Sequence, residues 1–360
     1  MRRDPRDGIL RPRMGPLPRR AARVLFTLAG LALFLVALDV VKTSARALDP
    51  IFGGLAVRGK AGALGFGWIL ACVLLSGSPA AAVALGFLAG GVLTSPETLA
   101  MITGSRIGAS FVVLALGVLY DLRGRRHGSV YVGAATLLTT ATIYLPASAL
   151  ALGLLRGRLL DGLRIEGIPG ISSLLEATIH PLVAAADAAL PDGILLVLGV
   201  VCLLGSFRLL DRALPDVSKA QGRLAGIADR VWRPSVVFAV GMVVTALTLS
   251  VSLSISLLVP LTARGYVRRE NLVPYILGAN ITTFLDTLVA SLLVGHPAAF
   301  PVVTSLVLCV TAITLFVLAF LYRPYASWID RVAHAWTATR RRQAILAVGL
   351  FAVPLALVLL

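Results

Sequence analysis

The chain of 360 residues is 58% apolar and only 14% charged, against about 25% charge in a soluble domain, and its mean hydropathy is +0.91. That composition excludes a soluble nucleotide-binding enzyme, a secreted disulfide scaffold and a disordered protein. The excess of 33 Lys and Arg over 17 Asp and Glu, a net +16, does not point to nucleic acid. The basic residues sit in short segments between apolar runs, where they set membrane topology. The expected class is an all-α polytopic membrane protein whose first partner is the lipid bilayer.

Residues 1–23 carry eight arginines and several prolines, which predicts a basic cytoplasmic arm lying against anionic lipid. A span follows at about 24–42, with Asp39 and Lys42 as interfacial anchors near its end. The small-residue site Ser44-Ala45-Arg46-Ala47 leaves a cleaved signal peptide as an alternative for this segment. Residues 61–93 are too long for one span of about 20 residues and too short for two joined by a turn. Ser76-Gly77-Ser78-Pro79 interrupts this stretch and would break a helix. The pattern predicts a re-entrant hairpin, with non-helical backbone tolerated at depth because it is buried in protein or lines a cavity.

Spans are expected at 97–120 and 129–155, closing a first membrane repeat over 24–155. A more polar connector at 156–191 follows, then a span at 192–210 and a basic loop at 208–233. Residues 236–264 have the same awkward length and are interrupted by Ser250, Ser252, Ser254 and Ser256, predicting a second hairpin. Spans at 271–295 and 300–322 close the second repeat over 192–322. A basic cytoplasmic loop at 323–342 and an extra C-terminal span at 343–360 complete the chain.

An offset of 174 residues lays Gly104 on Gly278, Ser76-Gly77-Ser78 on Ser250-Val251-Ser252, and Gly91 on Gly265. Each half then reads as span, re-entrant hairpin, span, span. With the basic arm inside, Arg123, Arg125, Arg126, the 208–233 loop, Arg264, Arg268, Arg269 and Arg340 to Arg342 all fall on the cytoplasmic side. The connector 156–191 falls outside, and the hairpins enter from opposite faces. This is an inverted-topology repeat, the architecture of secondary transporters that bind substrate at the midplane. It predicts a multi-pass protein of a bacterial cytoplasmic membrane with a cytoplasmic N-terminus.

Broken helices offer free amides to an anion and free carbonyls to a cation, and serine hydroxyls serve either. Ser76 and Ser78 in one tip, and Ser250, Ser252 and Ser254 in the other, are therefore candidate ligands. The alternative is that small hydroxyl residues only let helices approach and bond across their interface.

Thr245-Ala246-Leu247 through Ser250, Pro260-Leu261 and Gly278-Ala279-Asn280-Ile281-Thr282-Thr283 together resemble the type II sodium/phosphate cotransporters. That family carries a Gln-Ser-Ser-Ser signature in each hairpin and a Gly-Ala-Asn-Ile-Gly-Thr-Thr element in the following span. The resemblance covers roughly 24–322 and is clearest over 236–292. It implies sodium-driven phosphate uptake at the two hairpin tips, and it adds Asn280, Thr282 and Thr283 to the candidate ligands. Leu75 and Leu249 stand where the signature has Gln, Gly77 and Val251 where it has the middle Ser, and Arg106 where the first repeat has Asn.

An intramembrane charge is costly and marks function by default. Arg106 could grip an anion by a bidentate fork, stand in for a bound sodium, or snorkel from a span end to water. Asp286 could pair with Arg106 or carry a coupling proton. His127, His180, His296 and His334 lie apart without Glu or Cys at ligand spacing, so no metal site is expected. Cys72, Cys202 and Cys309 read as small buried hydrophobes. No catalytic residue is expected: Gly108-Ala109-Ser110 has no histidine to serve it, and no phosphate-binding glycine loop is present. The reading is an ion-coupled transporter of phosphate or another small anion, with Na+ or H+ as coupling ion and no other cofactor. A transport-inactive scaffold of the same fold, or a transporter of a different solute, is the alternative.

Overall fold

The computed structural model describes residues 19–45, 59–122, 129–160, 162, 175–213, 233–256, 258–263 and 269–360. Residues 1–18 of the basic arm, the loop bearing Arg123, Arg125 and Arg126, much of the 156–191 connector, residues 214–232, Gly265, and Arg264 and Arg268 lie outside these. Every regular element among the described residues is helical, and seven helical stretches are long and apolar enough to cross a membrane. The chain has the make-up of a polytopic membrane protein.

The first half comprises α1 (Arg19–Ser44), α2 (Gly59–Leu74), α3 (Gly77–Ala89), α4 (Ser95–Leu122) and α5 (Ser129–Arg156). A short helix, α6 (His180–Ala189), precedes the second half. That half comprises α7 (Asp192–Ala213), α8 (Pro234–Thr248), α9 (Val251–Ser256), α10 (Leu258–Ala263), α11 (Leu272–Thr282), α12 (Leu285–Leu293) and α13 (Ala299–Phe316). A π-type turn at Val317–Leu321 leads into α14 (Tyr322–Thr337), and α15 (Arg340–Leu359) ends the chain.

The 174-residue offset is visible in the backbone. Leu75 and Leu249, one offset apart, end α2 and α8 in the left-handed region, with φ of 53° and 48°. A non-glycine residue is strained there, and each is followed by a Ser at the break. Glycine packing repeats too. α2 lies on α4, and α8 on α11. A Cβ at Gly104 would run into the Leu64 carbonyl, and one at Gly278 into the Phe238 carbonyl. Gly67 against Met101 is matched in the same way by Gly241 against Tyr275. These four glycines bring helix backbones together as small residues do in membrane interfaces.

The halves cross over at their centre. α9 packs on α4 and α3 on α12, while α5 meets α11 and α13 meets α4. Each contact thus has a counterpart with the halves exchanged. The first spans of the two halves, α1 and α7, run against each other. At the head of α4 the Glu97 carboxylate reaches back to Thr94, whose hydroxyl and amide donate to it at 2.6 and 2.9 Å. The same carboxylate accepts the Gly59 amide at 3.1 Å, tying α2 to α4.

One expectation is corrected. The 323–342 segment is not a loop over its length: α14 fills most of it. Tyr325, Ile329, Val332, Ala333 and Trp336 recur at helical spacing, with Ile329 and Ala333 buried in the core, and Asp330, Arg331 and His334 between them obscured that stripe. The span expected at 271–295 is one apolar helical stretch over Arg269–Leu293, with a local turn at Thr283-Phe284 between α11 and α12, where both residues keep right-handed helical backbone. No Gly or Pro marks this turn.

Candidate functional site

Both helix breaks arrive on one stretch of α4. Gly77, at the head of α3, lies so close that an added Cβ would stand 3.0 Å from the Ser105 carbonyl oxygen and 3.6 Å from Arg106 Nη1. From the other half, the Ser252 hydroxyl donates to the Ala109 carbonyl at 3.3 Å. Arg106, between them, is 5% exposed, so it does not snorkel to a helix end.

The guanidinium is engaged by the other half's turned span. Arg106 Nη1 donates to Thr283 Oγ1 at 3.0 Å, and Nη2 donates to Thr287 Oγ1. The Thr287 hydroxyl donates onward to Asp286 Oδ1 at 2.9 Å, and Arg106 Nη2 stands 3.7 Å from the same oxygen. The guanidinium also lies 5.0 Å above the Phe284 ring, whose other neighbour is the Tyr144 ring at 5.6 Å. Tyr144 donates to the Asn280 carbonyl at 2.7 Å, while the Asn280 side-chain amide reaches the Thr140 hydroxyl at 3.3 Å. Two polar atoms in this cluster are buried without a partner: Arg106 Nε and Asp286 Oδ2. Each such group is destabilising until something occupies it.

A cavity of about 10 Å3 lies at the meeting point, room for about one water molecule. Ser76, Ser78, Ser250, Ser252, Arg106, Asn280 and Thr283 line it. Asp286 is one contact away, behind Arg106. Ser254 and Thr282 are elsewhere. Ser254 accepts from Thr245 at 2.8 Å and bonds Tyr275 at 2.8 Å, a bond set that staples α9 to α8 and α11. Thr282 bonds back to the Gly278 carbonyl at 3.4 Å. The two tips also differ in capping. Ser250 accepts the Leu253 amide at 3.2 Å, whereas Ser76 makes no such bond to α3.

Sequence reasoning missed Tyr144, Ala109 and Thr287. A tyrosine or threonine inside an apolar helix carries no periodic signal of its own. Among the described residues, no group of three or more His, Cys, Asp or Glu comes together as a metal would require. No family model, curated protein or solved structure matches the chain.

Proposed function

We propose that this protein is an ion-coupled secondary transporter of phosphate or a related small anion, a divergent relative of the type II sodium/phosphate cotransporters. In this reading α2–α3 and α8–α10 are re-entrant hairpins entering a bacterial cytoplasmic membrane from opposite faces. The N-terminus is cytoplasmic, and the two halves form an inverted-topology repeat. One observation carries the reading: two helix breaks, each made by a left-handed leucine one repeat apart, meet on a buried arginine in one polar cavity.

The chemistry follows from the groups present. The Arg106 fork, the first amides of α3 and the four tip serines are donors that suit a tetrahedral oxyanion. In the closed arrangement the cavity holds about one water, so anion binding requires the guanidinium to turn away from Thr283 and Thr287. Asp286 then loses its counter-charge, and a sodium ion or a proton replaces it. That exchange couples cation to anion. Alternating access moves the occupied site from one face to the other by rocking one half against the other.

A second reading has its own support. Arg106 and Asp286 already neutralise one another at 3.7 Å, as a transport-inactive scaffold of this fold would require. Radiolabelled phosphate uptake into proteoliposomes separates the two. Accumulation driven by an inward sodium or proton gradient, abolished by Ser252→Ala or Asn280→Ala at normal expression, supports transport. No accumulation of phosphate, sulfate or a small carboxylate under either gradient would overturn it in favour of the scaffold.

A further inference from the structure

Away from the central site, a cavity of about 650 Å3 opens between α2, α5, α14 and α15. It is independent of the transport reading. Its walls are apolar, with Leu137 and Leu138 on one side, and Ile345, Leu346 and Gly349 on the other. Its volume is that of a pocket that encloses a substantial part of an organic molecule. An apolar cavity of this size gives water no partners, so its occupant is hydrocarbon over most of its length.

Polar features are confined to two places. The Trp68 indole N–H, on the cavity wall, is buried without a hydrogen-bond partner. Arg342, also on the wall, is held by donating from Nη1 to the Ala335 carbonyl at 2.9 Å. It ends a run, Arg340-Arg341-Arg342, that fills the first turn of α15, with no acidic residue in that turn. A helix N-terminus carries partial positive charge and favours anions, so three arginines there repel both the helix end and one another. Among the described residues the ion pairs are Arg106–Asp286, His180–Asp39 and His334–Asp330, and none of them relieves this run. Trp336 also stands on the wall, and tryptophan is a residue enriched where membrane meets water.

We infer that this cavity is a binding site for one anionic phospholipid. An acyl chain fills the apolar space, the phosphate sits at Arg342 and the head of α15, and an ester oxygen accepts from Trp68. Basic pockets between membrane helices recognise anionic headgroups in this way.

The test is native mass spectrometry of the full-length protein in detergent, titrated with phosphatidylglycerol and with phosphatidylcholine of identical chains. The expected result is a single phosphatidylglycerol retained in preference to phosphatidylcholine. Arg342→Gln lowers that preference about fivefold, the worth of one basic side chain at an anionic surface, and Arg342→Lys retains most of it. Gly349→Phe fills the cavity, because a Cβ there meets nothing within 4 Å, and it abolishes retention of both lipids while the protein still elutes as a folded species. Equal retention of the two lipids, or unchanged retention in Gly349→Phe, would overturn the proposal. So would uptake of fatty acid or detergent with no headgroup preference.

Discussion

The two halves hold the same elements in the same order but differ along the span that meets the other half at the centre. In the first, α3 is one helix of 13 residues, buried along nearly its whole length, and α4 runs unbroken for 28 residues through Arg106. In the second, the counterpart of α3 is helical over Val251–Ser256 and Leu258–Ala263. The counterpart of α4 carries a local turn at Thr283-Phe284 between α11 and α12, just after Asn280. The half with the unbroken span thus carries the charge, and the half with the turned span supplies the groups that hold it: Thr283, Phe284, Asp286 and Thr287.

The largest expected effect comes from removing the charge. Arg106→Met leaves Asp286 buried and unpaired, which costs about 3–5 kcal/mol. Adding Asp286→Asn recovers most of that loss, because the orphaned charge goes with it. Thermal unfolding of the two single variants and the double variant in detergent measures the coupling. If Arg106→Met and the double variant unfold alike, the buried pair is not what holds the halves together.

Next come the glycine contacts that both halves share. Gly104→Val and Gly278→Val each force a side chain against backbone, at about 1–3 kcal/mol, and the repeat predicts similar losses in both. Gly153→Ala, where a Cβ meets nothing within 4 Å, is the control and leaves the unfolding temperature in place. A large difference between the two glycine variants would mean that the halves are less alike in packing than in sequence.

These glycines also show what was legible in the chain. Gly104 aligns with Gly278, and Ser76 with Ser250, by counting alone, and the backbone repeats at the same offset. The turn at Thr283-Phe284 was not legible, because it follows from packing on Arg106 and Tyr144 rather than from a helix-breaking residue. Ser254 looked like a ligand because it continued the serine period, but its hydroxyl serves Thr245 and Tyr275. α14 was hidden for the opposite reason, its apolar stripe being diluted by Asp330, Arg331 and His334.

The left-handed leucines give a smaller effect that differs between the halves. Glycine carries no Cβ penalty in this region, so Leu75→Gly and Leu249→Gly each relieve about 1 kcal/mol of strain. Leu75 is 56% exposed and gives up little packing, so its variant gains stability. Leu249 is half-buried, and the lost contacts offset the gain. Chemical unfolding midpoints should therefore rise for the first and stay nearly level for the second.

The smallest effect tests the outer end of the turned span, where the loop between α12 and α13 carries His296. Burial lowers the pKa of this imidazole below its ordinary value, and the nearby Lys42 lowers it further. Its Nδ1 accepts the Ala298 amide at 3.2 Å, a bond that the protonated ring cannot accept. With the folded pKa depressed, the unfolded chain takes up a proton near pH 6.5 while the folded chain does not. Stability is therefore fully present above that pH and is lost as pH falls toward the folded pKa. The unfolding temperature of the wild type should drop more steeply between pH 7 and pH 5.5 than that of His296→Gln. Lys42→Met should make the drop shallower without removing it, because burial is the larger cause. Identical slopes in all three proteins would mean that this loop does not hold the histidine as described.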